Sequence, residues 1–289
     1  MFQVLVNGLA TGSIYALIAI GFALIFNILK FSNFSYGATM TSAAFIAYFM
    51  CTRLNLGLVG TLVCSALAGG LIGLFGEFIG FRRITLNHSA PTYFFVSSIT
   101  LATMYEGFIA LAVGANFFRY PNFFEVSSTK LLGAVISKTD ILMFVISAVS
   151  LIILAYIIQK TRIGRAVRAV SFDRDTAQLM GINATLVVQV VFFISGIFAG
   201  LAGCFLGIKY TLYSTLGSLV TKGFIASVIG GLGSLVGAVI GAVLLGILEA
   251  FSLSIFGSGW ATIVTFVIMM IFVLIRPQGI AGSNVQEKA

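Results

Sequence analysis

GSLVTKGFIASVIGGLGSLVGAVIGAVLLGILEAF, residues 217 to 251, is apolar throughout except for Lys222 and Glu249. A helix crosses a hydrocarbon core of roughly 30 Å with about 20 residues, so this run is too long for a single passage. It has to be broken, and the group Gly230-Gly231-Leu232-Gly233-Ser234 is where the sequence permits a break. How the run is divided decides on which side of a membrane the rest of the chain emerges.

A membrane is what the surrounding sequence demands. The chain is 60% apolar and only 8% charged, too little polar surface to keep a soluble fold hydrated. Uncharged runs long enough to span occupy residues 4 to 29, 57 to 76, 90 to 113 (interrupted by Glu106), 141 to 158, 186 to 208 and 258 to 275, with a shorter run at 36 to 52. The first run has no basic stretch before it and is followed by further spans, so it is expected to stay in the mature protein.

Lys and Arg collect in the cytoplasmic loops of membrane proteins, which places Arg82, Arg83 and the cluster from Lys160 to Arg174 inside. The span ending near Lys209 then exits outward, and one crossing over 217 to 251 would strand Arg276 outside. The conflict disappears if 217 to 231 is a half-helix dipping into the membrane and 234 to 251 returns outward. Irregular backbone at that depth is tolerated only where protein packs it or water lines it. The expected fold is therefore an all-α polytopic bundle of about eight membrane segments, one of them re-entrant. It forms a single transmembrane domain over 1 to 289 with a cytoplasmic loop at 160 to 185.

The net charge of +8 would suggest nucleic acid in a soluble protein; here the charge obeys the loop rule and implies lipid, not nucleic acid. The three cysteines, Cys51, Cys64 and Cys204, form no C-x-x-C pair and read as small packing residues. With one histidine, His88, in a polar loop that reads as solvated, no metal site and no cofactor is expected. G-x-S-x-G and G-x-x-x-x-G-K-[ST] are both missing, so the chain is not read as an enzyme, and any ATP that drives it must be bound by another subunit. The sequons at Asn87 and Asn183 fall in loops assigned to the inside and are taken as chance.

Glycines recur four apart: Gly69 and Gly73, Gly76 and Gly80, Gly196 and Gly200, Gly203 and Gly207, and the set Gly233, Gly237 and Gly241. This spacing lets helix backbones approach closely. Ionisable groups inside spans are costly and point to function: Glu106 lies mid-span, and Lys222 lies in the half-helix. Lys222 also fits snorkelling to an interface, and Glu249 fits the headgroup level. Asn7, Thr11, Ser13, Asn33 and Ser35 give the first segments a polar lining that suits either a path or interhelical hydrogen bonds. With Gly230, Gly231 and Gly233 leaving space, these residues form the candidate translocation path.

The loop TRIGRAVRAVSFDRDTAQLMGIN, residues 161 to 183, is longer than a connection requires, and Gly164 to Met180 has helical order ended by Gly181. Together with GLATGSIYALIAIGFALIF near the N-terminus, KGFIASVIGGLGSLVGAVIGAVLLGILEA and the closing RPQGI, it resembles the LivH-like permease subunits of ATP-driven importers for branched-chain amino acids. The resemblance implies that the loop is a coupling helix for an ATPase, with Gly164, Arg165, Ala166, Arg168, Ala169, Ala177 and Gly181 in that role. It also implies two ATP-binding subunits, a second homologous permease, an extracytoplasmic solute-binding protein and a place in the inner membrane. Where that family usually reads N-F-A-H-G, this chain has Asn33-Phe34-Ser35-Tyr36-Gly37, a change in hydrogen-bonding groups that bears on the substrate. Branched-chain or other apolar amino acids are the implied cargo; the alternatives are a urea, amide or sugar importer and an ion-coupled carrier using Glu106 and Lys222.

Overall fold

The computed structural model describes residues 1–87, 89–121, 123, 128–131, 134–276 and 278–281; the reading of His88 falls outside them. In order the chain forms α1 (Phe2–Leu29), α2 (Ser35–Leu54) and α3 (Leu58–Gly76), a π-turn (Glu77–Phe81) running on into α4 (Arg82–Leu86), and α5 (Pro91–Val113). A short hairpin, β1 (Ser128–Leu131) and β2 (Ala134–Ser137), precedes α6 (Lys138–Lys160), α7 (Arg162–Phe172), α8 (Arg174–Leu179) and α9 (Ala184–Lys209). A 3-10 turn (Leu216–Leu219) leads into α10 (Val220–Gly230), and α11 (Leu235–Ile275) follows.

Among the described residues, six helical stretches are long and apolar enough to cross a membrane: Phe2–Leu29, Leu58–Leu86, Pro91–Val113, Lys138–Lys160, Ala184–Lys209 and Leu235–Ile275. The chain is a multi-pass, helical membrane protein. The count differs from the expected eight because Leu216–Gly230 is short, α2 is more polar, and two anticipated runs join in α11. The chain folds as two compact units: residues 1–23, 124–149 and 221–289 form one, and 24–123 and 150–220 form the other.

In the first unit, α10 runs antiparallel to α11, with the Gly230 backbone against Gly237 and Ala226 against Gly241. A side chain at any of these three glycines would meet a neighbouring carbonyl, so the spacing of small residues is what allows the approach. Gly231 closes the turn between the two helices at φ 103°, and the Ser234 hydroxyl caps α11 by accepting from the Gly237 N–H at 3.1 Å. The turn is sealed by the chain beyond α11: the Ile280 and Ala281 N–H groups donate to the Ile229 and Gly230 carbonyls at 2.8 and 3.0 Å. The break at 231–234 is therefore level with the segment after the last span, and backbone fills the space beside it.

α11 itself is not straight. At 41 residues it would run about 62 Å, twice the hydrocarbon core. Gly257, at φ 74° and ψ 175°, interrupts it, and Leu245 and Glu249 line one cavity with Thr262, Thr265 and Phe266. In a straight helix Leu245 and Phe266 would stand about 30 Å apart, so the chain reverses at Gly257. Only a glycine adopts that conformation without a clash.

The second unit is built on α3 and α9. Gly69 and Gly73 meet the backbone of Phe192, Gly196 and Gly200, and Ser65 Oγ donates to the Gly200 carbonyl at 2.7 Å. Below them Phe31, Phe81, Phe94 and Phe192 form an aromatic cluster with neighbouring centroids 5.0–5.3 Å apart. Cys51 and Cys204 are buried and Cys64 is partly buried, all three as free thiols.

Candidate functional site

In the first unit the half-helix lysine has a partner. Lys222 Nζ forms an ion pair with Glu249 Oε1, and the Tyr15 hydroxyl donates to the other oxygen, Oε2, at 2.8 Å. The ammonium also stands 5.7 Å from the centroid of the Tyr15 ring, close enough for a cation–π attraction. Helix packing aligns the three: α10 lies on α11 as described, and Gly8 and Gly12 seat α1 on Val243, Gly246 and Ile247 of α11. The long Tyr15 side chain then leans toward the N-terminal end of its own helix, where Glu249 lies. A small cavity, with room for about one water, adjoins the pair, lined by Lys222, Leu245, Glu249, Thr262, Thr265 and Phe266.

The polar residues of α1 are more modestly placed. Ser13 is buried but donates to Ala10 O of its own helix at 2.8 Å, and Asn7 is exposed, bonded by Gln3 at 3.1 Å. Thr11 is partly buried.

In the second unit Asn33 and Ser35 come together. Asn33 Oδ1 accepts from the Ser35 N–H at 3.1 Å and from its hydroxyl at 2.7 Å, which holds the start of α2. Both line a small cavity with Tyr36, Thr39, Phe192 and Ser195, where the buried Tyr36 side chain stands close to Ser195. This cavity has hydroxyl, amide and aromatic walls and no charged residue.

Glu106 is exposed on α5, beside Gly107, where an added side chain would point into open space, and the exposed Phe108. A different acid, which the sequence reading passed over, is the buried one. Glu77 is 1% exposed in the π-turn, close to Gln189 and under the influence of Arg82. Side chains bond the carbonyls at the end of the π-turn: Ser97 donates to Gly80 O and Thr85 to Phe81 O, each at 2.7 Å. Glu77 sits one residue past the uncharged run at 57 to 76, so a search for uncharged windows stopped short of it.

The loop folds as two helices rather than the single one expected over Gly164 to Met180. Asp173 breaks it: its Oδ1 accepts from the Asp175 and Thr176 N–H groups at 2.9 and 3.1 Å, capping α8, while Oδ2 accepts from the Thr176 hydroxyl at 2.7 Å. These bonds, the Thr176 hydroxyl first, hold the Asp173 carboxyl below the usual aspartate range. Gly181, at φ 82°, ends α8 as expected, with Ile182 N–H donating to Ala177 O at 3.0 Å.

The loop's small residues serve its own packing. Gly164 presses on the Ile157 and Ile158 carbonyls at the end of α6, Arg168 donates to Ile158 O, and Ala177 is buried. Arg165 and Gly181 are exposed, and Ala166 and Ala169 are partly so. What projects most is apolar: Phe172, Leu179 and Met180 are 94%, 88% and 79% exposed. From the same loop Arg174 Nη1 reaches back to Thr85 O at 3.0 Å, at the end of α4.

The sequence pattern of the family described as "Branched-chain amino acid transport system / permease component" matches residues 4–274. The chain belongs to this family. Among relatives of the permease, the high-affinity branched-chain amino acid transport system permease protein BraD of Pseudomonas aeruginosa is 33% identical, the match covering 99% of this chain and 97% of BraD. The corresponding permease protein LivH of Escherichia coli is 28% identical, again over 99% and 97%. The solved structure of PsaBC from Streptococcus pneumoniae in complex with Fab shares the fold at a TM-score of 0.52, with 14% identity over 94% of this chain and 91% of that one.

Proposed function

We propose that the permease is one of two membrane subunits of an ATP-driven importer that carries branched-chain or other apolar amino acids across the inner membrane. Two ATP-binding subunits would work from the cytoplasm, and a solute-binding protein would deliver the amino acid from outside. The observation that carries the reading is the match to BraD along nearly the whole length of both chains.

Coupling falls to the loop. Three large apolar side chains, Phe172, Leu179 and Met180, stand almost free of the chain, and an exposed apolar patch outside the lipid-facing spans is a mark of a protein partner. With Arg165 and Ala169 beside them they form the surface for the ATPase, while Gly164, Arg168 and Ala177 hold the loop to α6. Arg174 then ties any movement of the loop to the end of α4. In this reading Glu106 faces the second permease subunit, because a carboxylate turned toward lipid would be costly. Candidate path residues are Asn33 and Ser35 at the hydroxyl-lined cavity of the second unit, and Lys222 with Asn7, Thr11 and Ser13 in the first. Leu216–Gly230 counts as the re-entrant segment, and Gly230, Gly231 and Gly233 anchor its inner turn. With the two arms of α11 and α2 also counted, the membrane segments among the described residues number nine, against the expected eight or so.

Reconstitution with the ATPase and binding protein tests this. The expected result is leucine uptake that requires ATP and the binding protein. Uptake that follows a proton or sodium gradient and survives removal of the ATPase would make the permease a carrier instead, and a binding protein stabilised by urea or a sugar but not by leucine would reassign the cargo.

A further inference from the structure

We propose that the Lys222–Glu249 pair is a subsite for the zwitterionic head of the amino acid, with its apolar side chain received by Leu245 and Phe266; this rests on the importer reading above. The two charges neutralise each other across α10 and α11, and both side chains keep some exposure, 18% for Lys222 and 12% for Glu249. They open on a cavity whose other walls are Leu245, Phe266 and two threonines. A free amino acid carries an ammonium and a carboxylate on one carbon. Placed here, its carboxylate replaces Glu249 as the partner of Lys222, and its ammonium replaces Lys222 as the partner of Glu249.

The exchange breaks one ion pair and makes two, against the loss of water from the zwitterion. An unpaired charge at this depth would be a trap, whereas a pair that swaps partners binds and releases with little net change, as a conduction path requires. An uncharged solute has nothing to exchange, so the pair discriminates by charge while the apolar wall accepts a branched side chain. Tyr15 holds Glu249 by its second oxygen throughout, which keeps the carboxylate in place when Lys222 lets go. Glu249 and Thr265 each lie eight residues from Gly257, about 12 Å along the two arms. The site is thus within the end of the bundle that the importer reading turns toward the binding protein.

The test uses the full reconstituted complex in vesicles, with radiolabelled leucine as the probe. Two double variants are compared: Lys222→Glu with Glu249→Lys, which reverses the pair, and Lys222→Met with Glu249→Gln, which removes it. If the pair only fastened α10 to α11, the reversed variant would transport like the parent. The expected result is that every variant that assembles hydrolyses ATP when the loaded binding protein is added, while its leucine uptake falls at least ten-fold. Uptake near the parent rate in an assembled variant overturns the subsite and leaves the importer reading intact. Failure of both variants to assemble assigns the pair to structure and also overturns it. A parent complex that moves a neutral solute and not leucine overturns both readings, and shows this before any variant is made.

Discussion

Tyr15→Phe isolates one bond of the Tyr15–Glu249–Lys222 network. The ring is 1% exposed, so phenylalanine keeps the packing and the contact with the Lys222 ammonium and loses only the hydroxyl bonded to Glu249 at 2.8 Å. Side-chain hydrogen bonds within membranes average roughly 0.6 kcal/mol and reach about 1.7, and the charged acceptor argues for the upper half of that range. A loss of about 1 kcal/mol is expected, which for a protein of this size lowers the unfolding temperature by roughly 2–4 °C. Glu249→Gln is the comparison. It leaves the Lys222 ammonium inside the bundle without its counter-ion, a change worth about 3–5 kcal/mol for a buried pair, with the lower end expected because Lys222 keeps 18% exposure. Thermal unfolding of the detergent-purified permease, followed by the intrinsic fluorescence of Trp260 and the tyrosines, measures both. Equal losses for the two variants, or no loss for Tyr15→Phe, would refute the network as drawn.

Phe172→Asp with Leu179→Asp should leave the permease folded but abolish co-purification of the ATPase subunits, since both side chains project from the chain; normal retention would place the docking surface elsewhere. Gly200→Leu puts a side chain against the Ser65 carbonyl in the α3–α9 seam and should destabilise by about 1–3 kcal/mol or more, read as lost yield and earlier thermal unfolding. Arg174→Met keeps the stem and removes the bond to Thr85 O; the expected outcome is a complex that still hydrolyses ATP but imports several-fold less leucine per ATP. The Asp173 carboxyl lies below its usual range when folded, so its cap contributes fully above the unfolded value of about 3.9 and is lost as pH falls through the lower folded value. Hydrogen-exchange protection of the Asp175 and Thr176 amides, corrected for the intrinsic exchange rate, should hold from pH 7 to about 4; a midpoint above pH 5 would refute the cap.

The sequence by itself determined what depends on local pattern. Apolar length placed the chain in a membrane, the glycine cluster marked the break after Gly230, glycines four apart marked the faces where helices touch, and Gly181 stopped α8. Each of these follows from composition or spacing within a few turns of helix. Tertiary structure decided what depends on partners far apart in the chain. Glu249 and Lys222 each fitted an interfacial position when read alone, and they became a charge pair only when α10 folded back on α11. Tyr15 joined them across 234 positions of sequence, a distance over which no periodicity carries information. Glu106, read as a mid-span charge, lies on an exposed face of α5, while Glu77 is buried, because the face a span turns inward is set by its neighbours and not by its hydropathy. The loop at 161 to 183 was legible as a helix with basic residues, yet which of its side chains stay free was settled by how closely Gly164 approaches the end of α6 and by the bond from Arg168 to the Ile158 carbonyl. The reversal at Gly257 had only a glycine to announce it, in a chain with 32, and the packing of both arms around one cavity is what made that glycine a turn.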